Sequence, residues 1–279
     1  MLERVFINIM KRHGGSVKIR DDLNTAHPLT FLLGYNSSPI SFQLDIPFQR
    51  IRAWGGRAVE KEVHPLYDVI HDYFVDGKNS YHKSALELFA QKHDPLDASE
   101  ALILSREKSP GFARLSPLMA IYPWEAGKPQ DRERIYINTL KRELRIRHLA
   151  GEDLALHRTR RGIAEFHRLI SLAHSIQNHG FDTNRRGYTH IAGDLLVDER
   201  LNWCVLIRHG EHRVAALKFF GAKTVPVILS PTRIIRKQEH PFWPQVVSQA
   251  LLPCGALEIF DRIMEGHDDV PLVNVVGWP

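Results

Sequence analysis

The stretch 203–229 constrains the fold more than any other part of the chain. Trp203-Cys204-Val205-Leu206-Ile207 is a β-type run, and Arg208-His209-Gly210-Glu211-His212-Arg213 comes next as a polar, glycine-containing turn. Val214-Ala215-Ala216-Leu217-Lys218-Phe219-Phe220 then reads as a helix closed by Gly221, before Thr224-Val225-Pro226-Val227-Ile228-Leu229 resumes β character. Strand, glycine turn, helix, glycine cap and strand in this order require an α+β unit whose helix opens directly off a strand end. Upstream, Leu195-Leu196-Val197 and Trp203 to Ile207 flank Asp198-Glu199-Arg200-Leu201-Asn202 and read as a hairpin. A helix over 166–178, with Leu169, Leu172, Ala173 and Ile176 on one face, stops at Gly180, which suits a left-handed cap.

The turn also carries the chain's clearest chemistry. A helix N-terminus presents unpaired N–H groups and the positive end of a dipole, an arrangement that accepts phosphate. Gly210 lets the backbone approach a ligand, Arg213 offers a bidentate fork in the first turn, and His212 is placed to donate or move a proton. The plain alternative is that Glu211 complements the helix dipole while His212 and Arg213 pair with neighbouring carboxylates. Asp194, just before Leu195, is placed to face a ligand, with a turn role as its structural alternative, and Glu165, ahead of the 166–178 helix, has the ordinary reading of a helix-start carboxylate. His190 and His209 are candidate donors, and His174 and His179 are placed to complement a helix C-terminus.

Taken together, Gly210-Glu211-His212-Arg213-Val214-Ala215-Ala216-Leu217 and Gly221-Ala222-Lys223-Thr224-Val225-Pro226-Val227 resemble the signature of the ParB/sulfiredoxin-like superfamily. Its turn, G-x-H-R or G-E-R-R, opens a helix that ends in L-G-x-x-x-V-P-V. Leu172 to Gly180 resembles that family's upstream helix, so the likeness covers residues 165–229. It implies nucleotide or phosphate binding by Gly210, Glu211, His212 and Arg213, ATP or another nucleotide as cofactor, and, in kinase-like relatives, an acidic base near Glu165. The catalytic candidates are Glu165, Asp194 and His212, and phosphoryl transfer ordinarily uses a divalent cation such as Mg2+. No metal ligands are assigned. Glu211 stands where sulfiredoxins carry their cysteine, which argues against sulfinic acid reduction. Partition proteins carry Arg where His212 stands and continue into a helix-turn-helix. Here prolines 231, 241, 244 and 253 interrupt the fifty residues after Leu229. The serine-kinase-like branch is nearer, although His209 replaces its Asp. The Phe242-Trp243-Pro244 region, residues 256–263 and the His64-Pro65 helix are similar to bacterial proteins of surface-polysaccharide gene clusters.

Elsewhere, Thr30-Phe31-Leu32-Leu33 and Ile40-Ser41-Phe42-Gln43-Leu44 suggest strands of a small N-terminal sheet. Leu66, Ile70, Tyr73 and Phe74, then Leu86, Phe89 and Ala90 behind Ser84, predict two helices over 63–93. Prolines 110, 117, 123 and 129 with Gly111 and Gly127 mark 106–130 as a long connection. The expected organisation is an accessory α+β domain over 1–105, a linker over 106–130, and a ParB/sulfiredoxin-like domain with a C-terminal extension over 131–279.

The 37 Lys+Arg against 32 Asp+Glu give a net charge of +5, a small excess to which the basic 141–161 region contributes. That region reads as a solvated helix face, with polyanion binding as its alternative. No apolar run approaches a membrane span, and no signal peptide is read at the N-terminus, so the expected location is cytoplasmic. Cys204 and Cys254 lack metal-ligand spacing and are expected to be reduced, buried thiols. The leading expectation is an ATP-dependent kinase of a small hydroxylated metabolite or sugar in surface-polysaccharide metabolism. The alternatives are a non-catalytic nucleotide or phospho-sugar sensor and a ParB-like nucleic-acid-binding protein.

Overall fold

Alternation along the hairpin decides which elements cover each face of the sheet. In the computed structural model, which describes residues 17–18, 41–60, 64–92, 94–144, 154–181 and 190–267, the hairpin is β5 (Ile191–Val197) and β6 (Trp203–His209). Val205 and Ile207 point into one buried cluster, and Cys204 and Leu206 into another, as period-2 geometry requires. Asp198 closes the turn, its side chain accepting from the Arg200 and Asn202 backbone N–H groups at 2.9 and 2.7 Å.

Among the described residues the sheet has seven strands in the order β1-β2-β7-β5-β6-β3-β4 and is mixed. β1 is Val17–Lys18, β2 Phe42–Pro47, β3 Ile51–Ala53, β4 Arg57–Ala58 and β7 Thr224–Arg236. Among the described residues the helices are α1 (Pro65–Phe74), α2 (Ala85–Lys92), α3 (Ala98–Ala101), α4 (Pro129–Leu144), α5 (Leu154–His179), α6 (Glu211–Phe219), α7 (Pro244–Val247) and α8 (Pro253–Glu265). On one face of the sheet Val214 and Leu217 of α6 join the strand residues, while Ala215 and Ala216 on its far side meet α1, α2 and α5. The other face is covered by α3, the 104–124 segment and α8. The architecture is thus α+β, with helices on both faces of a mixed sheet. Among the described residues no helix is long and apolar enough to cross a membrane.

The expected division into an accessory domain, a linker and a second domain does not hold. β2 pairs with β7 from Phe42↔Leu229 to Pro47↔Thr224, and β3 runs parallel to β6, so N-terminal strands complete the C-terminal sheet. Buried Arg52 reinforces this from β3. Its Nε and Nη2 donate to the carbonyls of Ile263 and Met264 at 2.8 and 2.7 Å, capping the negative end of α8. The 106–130 segment is irregular as expected but is no linker, because Phe112, Ile121, Tyr122 and Trp124 are all buried in the shared core. Trp124 stacks on Tyr122 with ring centroids 5.1 Å apart.

Other differences are local. β7 runs on to Arg236 rather than stopping at Leu229, α5 begins at Leu154 rather than near residue 166, and Cys254 is exposed while Cys204 is buried. Thr30 to Leu33 lies outside the described residues, as do residues 145–153 of the basic region.

Candidate functional site

Gly210 sits where β6 turns into α6, with φ +94°, and caps the helix without any side-chain hydrogen bond. A Cβ there would lie 2.9 Å from Ile191 Cγ1, so packing against β5 as well as backbone conformation demands glycine. The first intrahelical bonds run from the N–H groups of Arg213 and Val214 to the Gly210 carbonyl. The first turn of α6, through Gly210 to Arg213, borders a cavity of about 260 Å³.

That cavity is lined by Gly210, Glu211, His212 and Arg213 from the turn, Arg208 and His209 from the end of β6, and Arg161, Glu165, Arg168 and Leu172 from α5. Among the described residues four arginines and two glutamates line it, and the N-terminal end of the helix dipole adds a positive field. Residues 161, 165, 168 and 172 recur at four, three and four positions, which places them in one stripe of α5. The adjacent stripe, Phe166, Leu169, Ala173 and Ile176, packs against α1, α2 and α6, so core packing fixes the direction of the polar one. Arg161 is steadied by its guanidinium lying 4.9 Å from the centre of the Tyr136 ring on α4.

Glu165 is 2% exposed, deep within α5 rather than at its start, so a helix-start role does not account for it. Its Oε1 accepts from Arg168 Nη1 at 2.6 Å, and its Oε2 stands 3.6 Å from His212 Nε2. Burial, reinforced by Arg168 and Arg213, holds the His212 pKa far below the usual imidazole range, so the ring is neutral near pH 7. A buried carboxylate beside a neutral imidazole, in a wall of guanidinium groups, is suited to moving a proton next to a bound anion.

Asp194 is not among the residues lining the cavity. It is 1% exposed, held by Arg233 in a bidentate pair at 2.7 and 2.9 Å and by Arg208 Nη1 at 3.3 Å. Burial raises its pKa to about 6 while Arg233 pulls the other way. The carboxylate thus supports Arg208 from behind rather than facing a ligand. Of the histidines, His209 lines the cavity and His190 does not. His179 Nδ1 lies 3.2 Å from the Ser175 carbonyl at the helix C-terminus, whereas His174 packs edge-on against Tyr73. Among the described residues the single His/Asp/Glu grouping with metal-ligand spacing is His71, Asp72 and Asp76, away from this cavity and already crossed by Lys78 at 3.1 and 3.2 Å from the two aspartates.

Arg208 was legible in the sequence as part of the turn's positive charge and Arg161 only as the end of the basic 141–161 region, whereas Arg168 was not expected, although its spacing from Glu165 on a helix was a usable signal. No family model, curated protein or solved structure matches this chain.

Proposed function

We propose that this chain binds a phosphorylated ligand, a nucleotide such as ATP, at the α6 N-terminus and transfers a phosphoryl group from it to a small hydroxylated metabolite or sugar. One observation carries the reading: the first turn of α6 borders a cavity walled by four arginines that also contains a buried Glu165–His212 pair. The resemblance of Gly210 to Val227 to the ParB/sulfiredoxin-like superfamily supports it, and the likeness to surface-polysaccharide cluster proteins supports a sugar as acceptor.

In the transfer, the acceptor hydroxyl oxygen bonds to phosphorus as the bond to the leaving phosphate oxygen breaks. Glu165 takes the hydroxyl proton, and neutral His212 orients that carboxylate. Arg213, Arg168 and Arg161 offset the charge that builds on the phosphoryl and leaving-group oxygens. The arginines fit the phosphate portion of a nucleotide. They do not fit a protein-bound Mg2+, since Glu165 and Asp194 are both engaged by guanidinium groups, so no step is assigned to the metal.

Labelled ATP incubated with candidate sugars should give transfer that is lost in Arg213→Ala and His212→Ala proteins of unchanged circular dichroism. Unchanged transfer in both would remove the site assignment. A second reading, a sensor of phosphorylated ligands, is favoured by the tight Arg168 pairing of Glu165. A thermal-shift response to ATP, ADP, CTP or nucleotide sugars without turnover would select it.

A further inference from the structure

Arg208 occupies an irregular point of the sheet. β6 pairs with β5 as Ala192↔His209 and then Gly193↔Ile207, so Arg208 is the extra residue of a bulge. Bulges re-aim side chains beside functional sites, and this one turns Arg208 to the cavity wall. Gly193 permits the close approach of the strands here, since a Cβ on it would lie 2.7 Å from the Leu206 carbonyl oxygen. On the other side of β5 the pairing jumps from Gly193↔Leu229 to Leu195↔Ile234, leaving residues 230–233 opposite Asp194. That second irregularity brings Arg233 onto the same carboxylate.

The consequence is a fixed guanidinium. Arg208 Nη1 lies 2.9 Å from Glu125 Oε1 and 3.3 Å from Asp194 Oδ2, both carboxylates being largely buried. Asp194 is also neutralised by Arg233, and Glu125 by Arg132 at 3.2 Å. Among the described residues three arginines thus share these two carboxylates, and Arg208 is the one of them that lines the cavity. A side chain already immobilised loses little entropy on gripping an anion.

We propose that Arg208, seated by Glu125 and Asp194, is a ligand-binding residue that recognises a second anionic group beside the one at the α6 N-terminus, so that the site prefers a diphosphate to a monophosphate. The proposal rests on the reading of this cavity as a phosphate site. Among the described lining residues Arg161, Arg168 and Arg213 stand with Glu165 and Glu211, and Arg208 places a further guanidinium at a separate point of the wall.

Calorimetric titration of the full chain with inorganic phosphate and with pyrophosphate tests it. In wild type pyrophosphate should bind more tightly. Arg208→Gln should weaken pyrophosphate by at least tenfold and phosphate by less than threefold, and Arg208→Lys should fall between, since an ammonium keeps the charge but not the two-carboxylate seat. Arg213→Ala should lose both ligands. Equal weakening of both ligands in Arg208→Gln, or none, with Arg213→Ala still defective, overturns the role of Arg208 alone. Wild type that binds neither anion removes the phosphate reading and this proposal with it. Should Arg208→Gln fail to fold, the Arg208→Lys ratio of the two affinities decides.

Discussion

Gly210 has two duties that a side chain would violate, a φ of +94° and contact with Ile191. Gly210→Ala is therefore expected to lose about 1–3 kcal/mol of stability, read by urea unfolding, because a left-handed conformation and a close contact must both be borne. The glycine was legible in the sequence, but its reason was not: ligand approach was the expected cause, and packing against β5 is the observed one. In the proposed transfer Glu165 is the proton acceptor. Glu165→Gln should keep phosphate affinity within a few-fold and lower turnover by about 10²–10⁴ if it is the proton acceptor. Titration offers a further check at His64, which burial, then Lys218 and Arg57, push down to about 3. Its folded-state pKa lies below the ordinary 6.5, so the unfolded chain takes up the proton first. The stability it contributes is complete above pH 6.5 and is lost as pH falls toward 3. The stability difference between wild type and His64→Gln should accordingly shift against wild type by about 1.4 kcal/mol per pH unit below 6.5.

Among the elements, α5 couples core to site through its two neighbouring stripes. Phe166→Ala should cost about 3–5 kcal/mol and, by loosening the stripe that orients Glu165, should also weaken pyrophosphate binding, whereas Leu88→Ala on exposed α2 surface should change neither. Melting curves with and without ligand separate the two effects. The strand–turn–helix–strand unit of 203–229 was readable because periodicity and glycine punctuation agree there. The first half of α5 was not, since residues 154–165 are rich in Arg and carry no sustained apolar stripe of their own. Pro231 concealed the second half of β7, where the bulge opposite Asp194 absorbs a residue that cannot donate to a ladder. In the 106–130 segment prolines erase periodicity, yet Phe112, Ile121, Tyr122 and Trp124 were the sign that it belongs inside.

At the scale of the whole molecule, the sheet joins both ends of the chain, and its N-terminal strands cannot be removed as a module. A chain of residues 106–279 should fail to show a cooperative thermal transition, since the β7 edge and the β6 edge would both lose their partners. A sharp transition in that fragment would contradict the shared core. Such non-local pairing is also what a single sequence conveys least well, because nothing in Phe42 or Ile51 names Leu229 or Val205 as neighbour. The pairing of β2 with β7 has a bearing on synthesis. Phe42 leaves the ribosome long before Leu229 exists, by roughly 10–40 s at about 5–20 residues per second. For that interval Phe42, Leu44 and Ile46 lack the strand that covers them in the folded sheet, so the nascent chain carries exposed apolar surface until β7 has been translated.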